Sequence, residues 1–352
     1  MIKTEAITLA GPEKMMVTWD TGRRCNFDCT YCEATRHNTY SPYHSYEELL
    51  TTLEFVKEYT SIYDTEKQGV NVDFTGGEPT ANPNFWKLAR HIKDHEPQLS
   101  CGLTTNGVWN PRRTEEIVEL FHGLTVSYHP EGGAKAKAHV IENIKRLHKS
   151  GIWLQINVMM HVDHFEEVQR VCRLLTDLGI THFPRPIGDG TVERSGWFKD
   201  TDGSMRRTSH SYSEDQQEWF FDYIGQPNPA KQKKEGSSIG RGCCGGRCMT
   251  GKVDGEWIPV THVDNNFKGW FCSVNKFFMH IDQHDKLVYH HQTCQSLHGG
   301  KRGPLGSLNN TAAILDYAKN AVNGSPIVCP NNRCGCGTCI PKAKHIEVFN
   351  LL

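Results

Sequence analysis

Cys25, Cys29 and Cys32 stand in the spacing C-x3-C-x2-C. Three thiolates on one tight loop can ligate three corners of an iron–sulfur cubane, leaving the fourth iron without a protein ligand. An open iron suits a cluster that binds a substrate, much as a catalytic zinc keeps an open position. The same thiolates with His37 as a fourth ligand also fit a zinc knuckle. The chain has 14 cysteines, and most of the others follow position 240. In a reducing compartment such a density points to metal ligation before disulfides. Cys101 and Cys172 stand apart, in a strand-like and a helix-like apolar pattern, and read as core packing.

A second group of chemically capable residues follows the triad. Gly76-Gly77-Glu78-Pro79 combines two glycines, which allow close backbone approach to a ligand, with a carboxylate able to accept from an ammonium. Taken alone, that tetrapeptide is also a common turn. Tyr128 and His129, His161 and Arg185 each follow a candidate strand. His129 and His161 are candidates to move protons, since imidazole titrates near neutrality when unperturbed. Arg185 could hold a carboxylate or phosphate in bidentate fashion, or form a structural ion pair.

The elements that must position these groups are legible in the pattern of apolar residues. Short apolar runs at 16–19, 70–74, 99–104, 124–127, 153–159 and 182–184 read as strands. Helical patterns lie between them, at 82–95, 114–122 and 139–149, with a first helix opening at Ser45. Ser45 with Glu48, and later Ser213 with Gln216, match the capping-box spacing. Gly151 and Gly179 sit where glycines end helices. Strand–helix alternation with short links predicts an α/β fold with a parallel sheet, either flat or curved into a partial (β/α)6 barrel, and in both forms catalytic groups gather at the carboxyl ends of the strands. The expected organisation is an N-terminal extension at 1–14, the partial barrel at 15–190, a connecting segment with one helix at 191–240, a cysteine-rich domain at 241–345 and a tail at 346–352.

At 352 residues the chain fits more than one core, and its composition is that of an ordinary globular protein. The formal net charge of −1 gives no basic field to coat nucleic acid, so nucleic acid is expected only as a local substrate. No stretch approaches the roughly 18–20 apolar residues of a membrane span, and the expected location is the cytoplasm.

With these residues in view, the sequence resembles the radical S-adenosylmethionine (radical SAM) superfamily. The triad after the first strand, with Tyr31 in its aromatic position, is that family's signature, and Gly76, Gly77, Glu78 and Pro79 are similar to its GGE-P segment. Thr105 and Asn106 end the third strand as TNG commonly does there. Ser127 and Asn157 hold positions where relatives contact the ribose and carboxylate. The resemblance covers about residues 15–190. It implies a [4Fe–4S] cluster on Cys25, Cys29 and Cys32 and S-adenosyl-L-methionine as cofactor, with Tyr31 beside the adenine and Glu78 at the methionine amino group. Reductive cleavage would then give a 5′-deoxyadenosyl radical that abstracts hydrogen from the substrate, leading to oxidation, rearrangement or epimerisation. An electron donor such as flavodoxin or ferredoxin follows from that chemistry.

Cys272 and Cys294 bracket an apolar–turn–apolar segment that reads as a hairpin. A cysteine-rich run from Cys329 to Cys339 follows it. The arrangement resembles the SPASM and twitch extensions and implies an auxiliary [4Fe–4S] cluster on Cys272, Cys294, Cys336 and Cys339, with Cys329 or Cys334 as substitutes. A zinc ribbon is the alternative. Cys243, Cys244 and Cys248 allow either a second auxiliary cluster, an anion-binding loop or a turn with buried thiols. A small molecule, sugar or nucleoside is the expected substrate, with a peptide as the alternative. A non-catalytic iron–sulfur or zinc protein is the reading from another class.

Overall fold

The computed structural model describes residues 5–9, 15–32, 37–63, 69–187, 197–199, 205–206, 212–225, 239–240, 249–259, 263–264, 266–290, 297–298, 301–302, 304–322, 327–329 and 341–349. The principal elements are β1 (Ala6–Leu9), β2 (Met15–Asp20), α1 (Tyr46–Ser61), β3 (Val70–Thr75), α2 (Pro83–His95), β4 (Leu99–Thr105), α3 (Thr114–Leu120), β5 (Gly123–Tyr128), α4 (Ala134–Ser150), β6 (Trp153–Met160), α5 (Phe165–Asp177), β7 (His182–Pro186) and α6 (Glu214–Tyr223). The α/β alternation is the expected one. The chain divides into two compact units, 1–20 with 50–72 and 235–352, and 21–49 with 73–234.

In the second unit, β4, β5, β6 and β7 lie side by side in parallel register. The last residues of β3 run beside β4. Strand residues alternate between buried and half-buried. The buried set faces the helices: Phe74 of β3 packs edge-on against Phe85 of α2 at 5.1 Å, and the Tyr128 hydroxyl donates to Glu167 of α5. The alternate set, pointing away from those helices because side chains alternate along a strand, is polar. Thr104, Thr125 and Gln155 share one row across β4–β6, and Ser127 and Asn157 share another.

Local signals set the helix ends. The Ser45–Glu48 box makes both of its bonds, at 3.1 and 3.0 Å, and the Ser213–Gln216 box is likewise complete. Gly151 and Gly179 take left-handed φ of 76° and 67°, which only glycine adopts freely. Helix α4 begins at Ala134, ahead of the expected 139. Its first turn, Ala-Lys-Ala-Lys-Ala, carries high helix propensity without the apolar spacing that marks a face.

In the first unit, β2 pairs in parallel with Phe278–Asp282, which turns back antiparallel onto Leu287–Tyr289. The expected hairpin is therefore present, with its turn closed by left-handed Lys286 and by Asp285 N donating to Asp282 Oδ1. Its first strand lies parallel beside β2 within the first unit. Fully buried Gln283 fixes that join, its Oε1 accepting from Trp19 Nε1 and Thr52 Oγ1. The residues ahead of the first expected strand supply β1, which pairs antiparallel with Met249–Val253 and with Lys342–Ala343.

Candidate active site at the cysteine loop

The cysteine loop is tied at several points to strand ends of its own unit. Cys25 N donates to Asn38 O at 2.8 Å, and Asn38 N returns a bond to Arg23 O. Gly77 N and Glu78 N donate to Gly22 O and Arg24 O. A Cβ on Gly77 would lie 2.4 Å from the carbonyl oxygens of both Arg23 and Arg24, so this glycine is required where two backbone segments press together. Gly76, at φ 128°, makes the turn that brings Gly77 there. These glycines thus serve contact between two segments of the protein.

Glu78 is almost fully buried and accepts four hydrogen bonds: Oε1 from Thr80 N, Thr80 Oγ1 and Thr105 Oγ1, and Oε2 from Asn106 N at 2.7 Å. Burial pushes its carboxyl pKa up, against the lowering effect of those donors. The carboxylate caps the short helix that opens at Pro79 and fastens the end of β3 to the end of β4. Asn106 extends the link, its Nδ2 donating to Asn26 Oδ1 inside the cysteine loop at 2.6 Å.

On the opposite side, the loop meets residues from the end of β5. His129 Nδ1 lies 3.5 Å from Cys29 Sγ and 2.5 Å from the Tyr31 hydroxyl, and the Tyr31 and His129 rings stack at 6.0 Å. Burial lowers the His129 pKa to about 4, so this imidazole is neutral at physiological pH. Glu131 accepts from Thr30 Oγ1 at 2.7 Å and Thr30 N at 3.2 Å, and its Oε1 is 3.2 Å from His161 Nε2. Sequence reasoning selected His129 and His161 but passed over Glu131, Thr30 and Asn26. The signal for Glu131 was its place in the short Gly-containing turn that follows a strand.

Arg185 Nε donates to Asn157 Oδ1 at 2.9 Å, and Gln155 Nε2 reaches the same oxygen at 3.3 Å. Burial alone lowers the Arg185 pKa. Ser127 is half-buried opposite Asn157. The structure therefore brings Tyr31, His129, His161, Glu78, Thr105 and Asn106 to the cysteine loop through chains of contacts, and joins Arg185 to Asn157 on the polar strand face.

The donor set suits a metal cluster. Burial raises the Cys25 thiol to about 11 and the Cys29 thiol to about 12. Burial does the same to Cys101 and Cys172 elsewhere in the core; what sets the triad apart is three thiols on one loop, which a metal's charge would deprotonate on coordination. Among the described residues, His37, buried beside the loop, has no hydrogen-bond partner for either ring nitrogen, and its Nε2 lies 3.6 Å from Asp28 Oδ1. Among the described residues, no three His, Cys, Asp or Glu side chains converge as a site for a single metal ion.

Comparison with known proteins bears on this loop directly. Residues 19–175 match the family model described as Radical SAM superfamily. These residues form a radical SAM domain. The match contains the cysteine triad and the Gly76–Pro79 segment. A GTP 3′,8-cyclase of Aquifex aeolicus (strain VF5) is 30% identical over 183 residues, 48% of this chain and 55% of that protein. One from Brucella ovis is 31% identical over 149 residues, 39% of this chain and 41% of that protein. The chain thus spans about half the length of these relatives or less. Among solved structures, Streptococcus suis SuiB bound to precursor peptide SuiA aligns with a TM-score of 0.49 at 12% identity, over 88% of this chain and 65% of that one.

Outside the radical SAM domain, Cys272 and Cys329 are both buried. Cys272 pairs with Ile327, and Cys329 N donates to Trp270 O, so both cysteines point to one face of the two strands. Lys342, opposite Cys272 on the next strand, is buried with Nζ 4.4 Å from the Phe267 ring centroid. Cys294, Cys336 and Cys339 lie outside the described residues, as do Cys243, Cys244, Cys248 and Cys334. Among the described residues, no helix is long and apolar enough to cross a membrane.

Proposed function

We propose that the chain is a radical SAM enzyme that holds a [4Fe–4S] cluster on Cys25, Cys29 and Cys32, binds S-adenosyl-L-methionine beside it, and acts on a purine nucleotide or nucleoside. The match of residues 19–175 to the superfamily carries this reading. The two cyclases described above, which their names say act on GTP, favour a nucleotide over a peptide. When bound, the cluster and cofactor supply one-electron cleavage of the sulfonium and the radical that removes hydrogen from substrate.

The chain's own residues do the rest. Tyr31 presents a ring to the adenine from a position set by His129. The Gly76–Pro79 segment, held by the buried Glu78 carboxylate, receives the methionine end, and Ser127 with Asn157 contacts ribose or carboxylate. Asn157 orients the Arg185 guanidinium towards an anionic group of the substrate, for which a planar fork is suited. His129, neutral and pressed against Cys29, serves better to order the loop than to carry protons. His161, bonded to Glu131, is the remaining candidate for proton movement. Buried Cys272 and Cys329, with Lys342 beside Cys272, are consistent with an auxiliary cluster whose remaining ligands come from the cysteines downstream.

Anaerobic reconstitution with iron and sulfide, reduction, and assay of 5′-deoxyadenosine with S-adenosyl-L-methionine test the reading. The expected result is product above a Cys29→Ala control, rising when GTP or a related purine nucleotide is added. No product above the control removes the enzymatic reading. Stimulation by a peptide in place of nucleotides overturns the substrate class.

A further inference from the structure

We infer that Glu131 is a positioning residue that locks the Cys29–Cys32 half of the loop and sets the potential at which a cluster held there accepts its electron. This rests on the proposed cluster site. The segment has little regular structure of its own: one turn bond, Cys32 N to Cys29 O at 3.1 Å, spans it. Thr30, exposed between two ligands, directs both its backbone N–H and its hydroxyl to the Glu131 carboxylate. Glu131 is held in turn by His161 Nε2, while His161 Nδ1 accepts from Asp163 N at 3.3 Å. A chain of bonds therefore runs from the buried end of β6, through Glu131, to the peptide that joins Cys29 to Thr30.

The turn that carries Glu131 is fixed as well. Gly132 N donates to His129 O at 3.0 Å, and a Cβ on Gly132 would lie 3.2 Å from both His129 O and Cζ of Phe27. The turn thus packs against the Cys25–Cys29 half while its carboxylate holds the other half. Partners of this kind, which orient ligands without touching the metal, change metal affinity by about 10–100-fold when removed. The carboxylate also places a negative charge near a centre that must gain an electron, and cluster potentials respond to local charge and hydrogen bonding.

The experiment compares wild type with Glu131→Gln and Thr30→Val, each reconstituted and then titrated by potentiometry with EPR detection and challenged with a chelator. Glutamine keeps the shape but loses the charge and cannot accept from every donor. The expected result for Glu131→Gln is iron loss about tenfold faster and a reduction equilibrium shifted about tenfold towards the reduced state, about 59 mV for one electron. Thr30→Val, which keeps the charge and the backbone bond, speeds iron loss but leaves the potential at the wild-type value. A Glu131→Gln protein with wild-type iron retention and potential overturns the inference. A wild type that takes up no cluster overturns the site on which it stands, and this inference with it.

Discussion

Cys25, Cys29 and Cys32 reach one loop because they are neighbours in the chain, whereas Cys272 and Cys329 share a face only because two short strands pair. The first set sits in a loop whose shape is imposed from outside. Bonds from Asn38, Asn106, His129 and Glu131 hold it. The second set gains its alignment from the backbone ladder itself, with buried Lys342 alongside. A loop held by side chains can be tuned residue by residue. A ladder fixes its side chains through the register of a sheet, which changes only in whole residues.

The largest effect should come from the loop. Cys29→Ala is expected to bring 5′-deoxyadenosine formation down to the protein-free level, whereas Cys272→Ala is expected to leave it measurable while lowering the iron bound per chain. Iron analysis beside the product assay checks both. Equal loss of activity in the two variants breaks the distinction between a catalytic and an auxiliary set.

Glu78→Ala should cost about 3 kcal/mol of stability, because Thr105 Oγ1 and Asn106 N become buried donors without acceptors. Urea unfolding of the apo protein measures it. Gly77→Ala, which forces a Cβ against two carbonyl oxygens, should cost about 1–3 kcal/mol. It should also slow cluster uptake, because the 22–24 segment must move away. If Gly77→Ala takes up cluster at the wild-type rate, the loop is less dependent on its supports than this comparison holds.

A smaller, pH-dependent effect belongs to the scaffold behind β5. Burial works to raise the Glu167 carboxyl, but bonds from Arg170 and Tyr128 and the charges of Arg170 and Lys137 outweigh it and lower it to about 2. The folded pKa lies below the unfolded one. This group therefore stabilises the fold above about pH 4.5, and the contribution is lost as pH falls towards about 2. Because Arg170 is more than half exposed and solvent screens the pair, its full size is about 1 kcal/mol. Thermal melts of wild type and Glu167→Gln between these limits should converge as pH falls.

Much of the radical SAM domain was legible in advance. Strand and helix order followed from apolar periodicity, and two capping boxes appeared where Ser and Glu or Gln stood at the right spacing. The start of α4 was not legible, because its first turn has propensity without a face. Nor was β1, whose four residues are too short to carry a period and find their partners only in Met249–Val253 and Lys342–Ala343. The hairpin after Cys272 was readable from its turn, but its parallel pairing with β2 was not, since the two segments are far apart in sequence.

What the sequence by itself determined is the cysteine triad, the Gly76–Pro79 segment and the α/β alternation that sets both at strand ends. Spacing within one loop, glycine's freedom and side-chain periodicity are local properties, and local properties are written in consecutive residues. Tertiary structure decided what those groups touch. It turned the Glu78 carboxylate onto Thr80, Thr105 and Asn106, set His129 against Cys29, and brought Glu131 from the end of β5 onto Thr30. Such contacts join residues distant in the chain, and the strand register that brings them together comes from packing of the whole sheet.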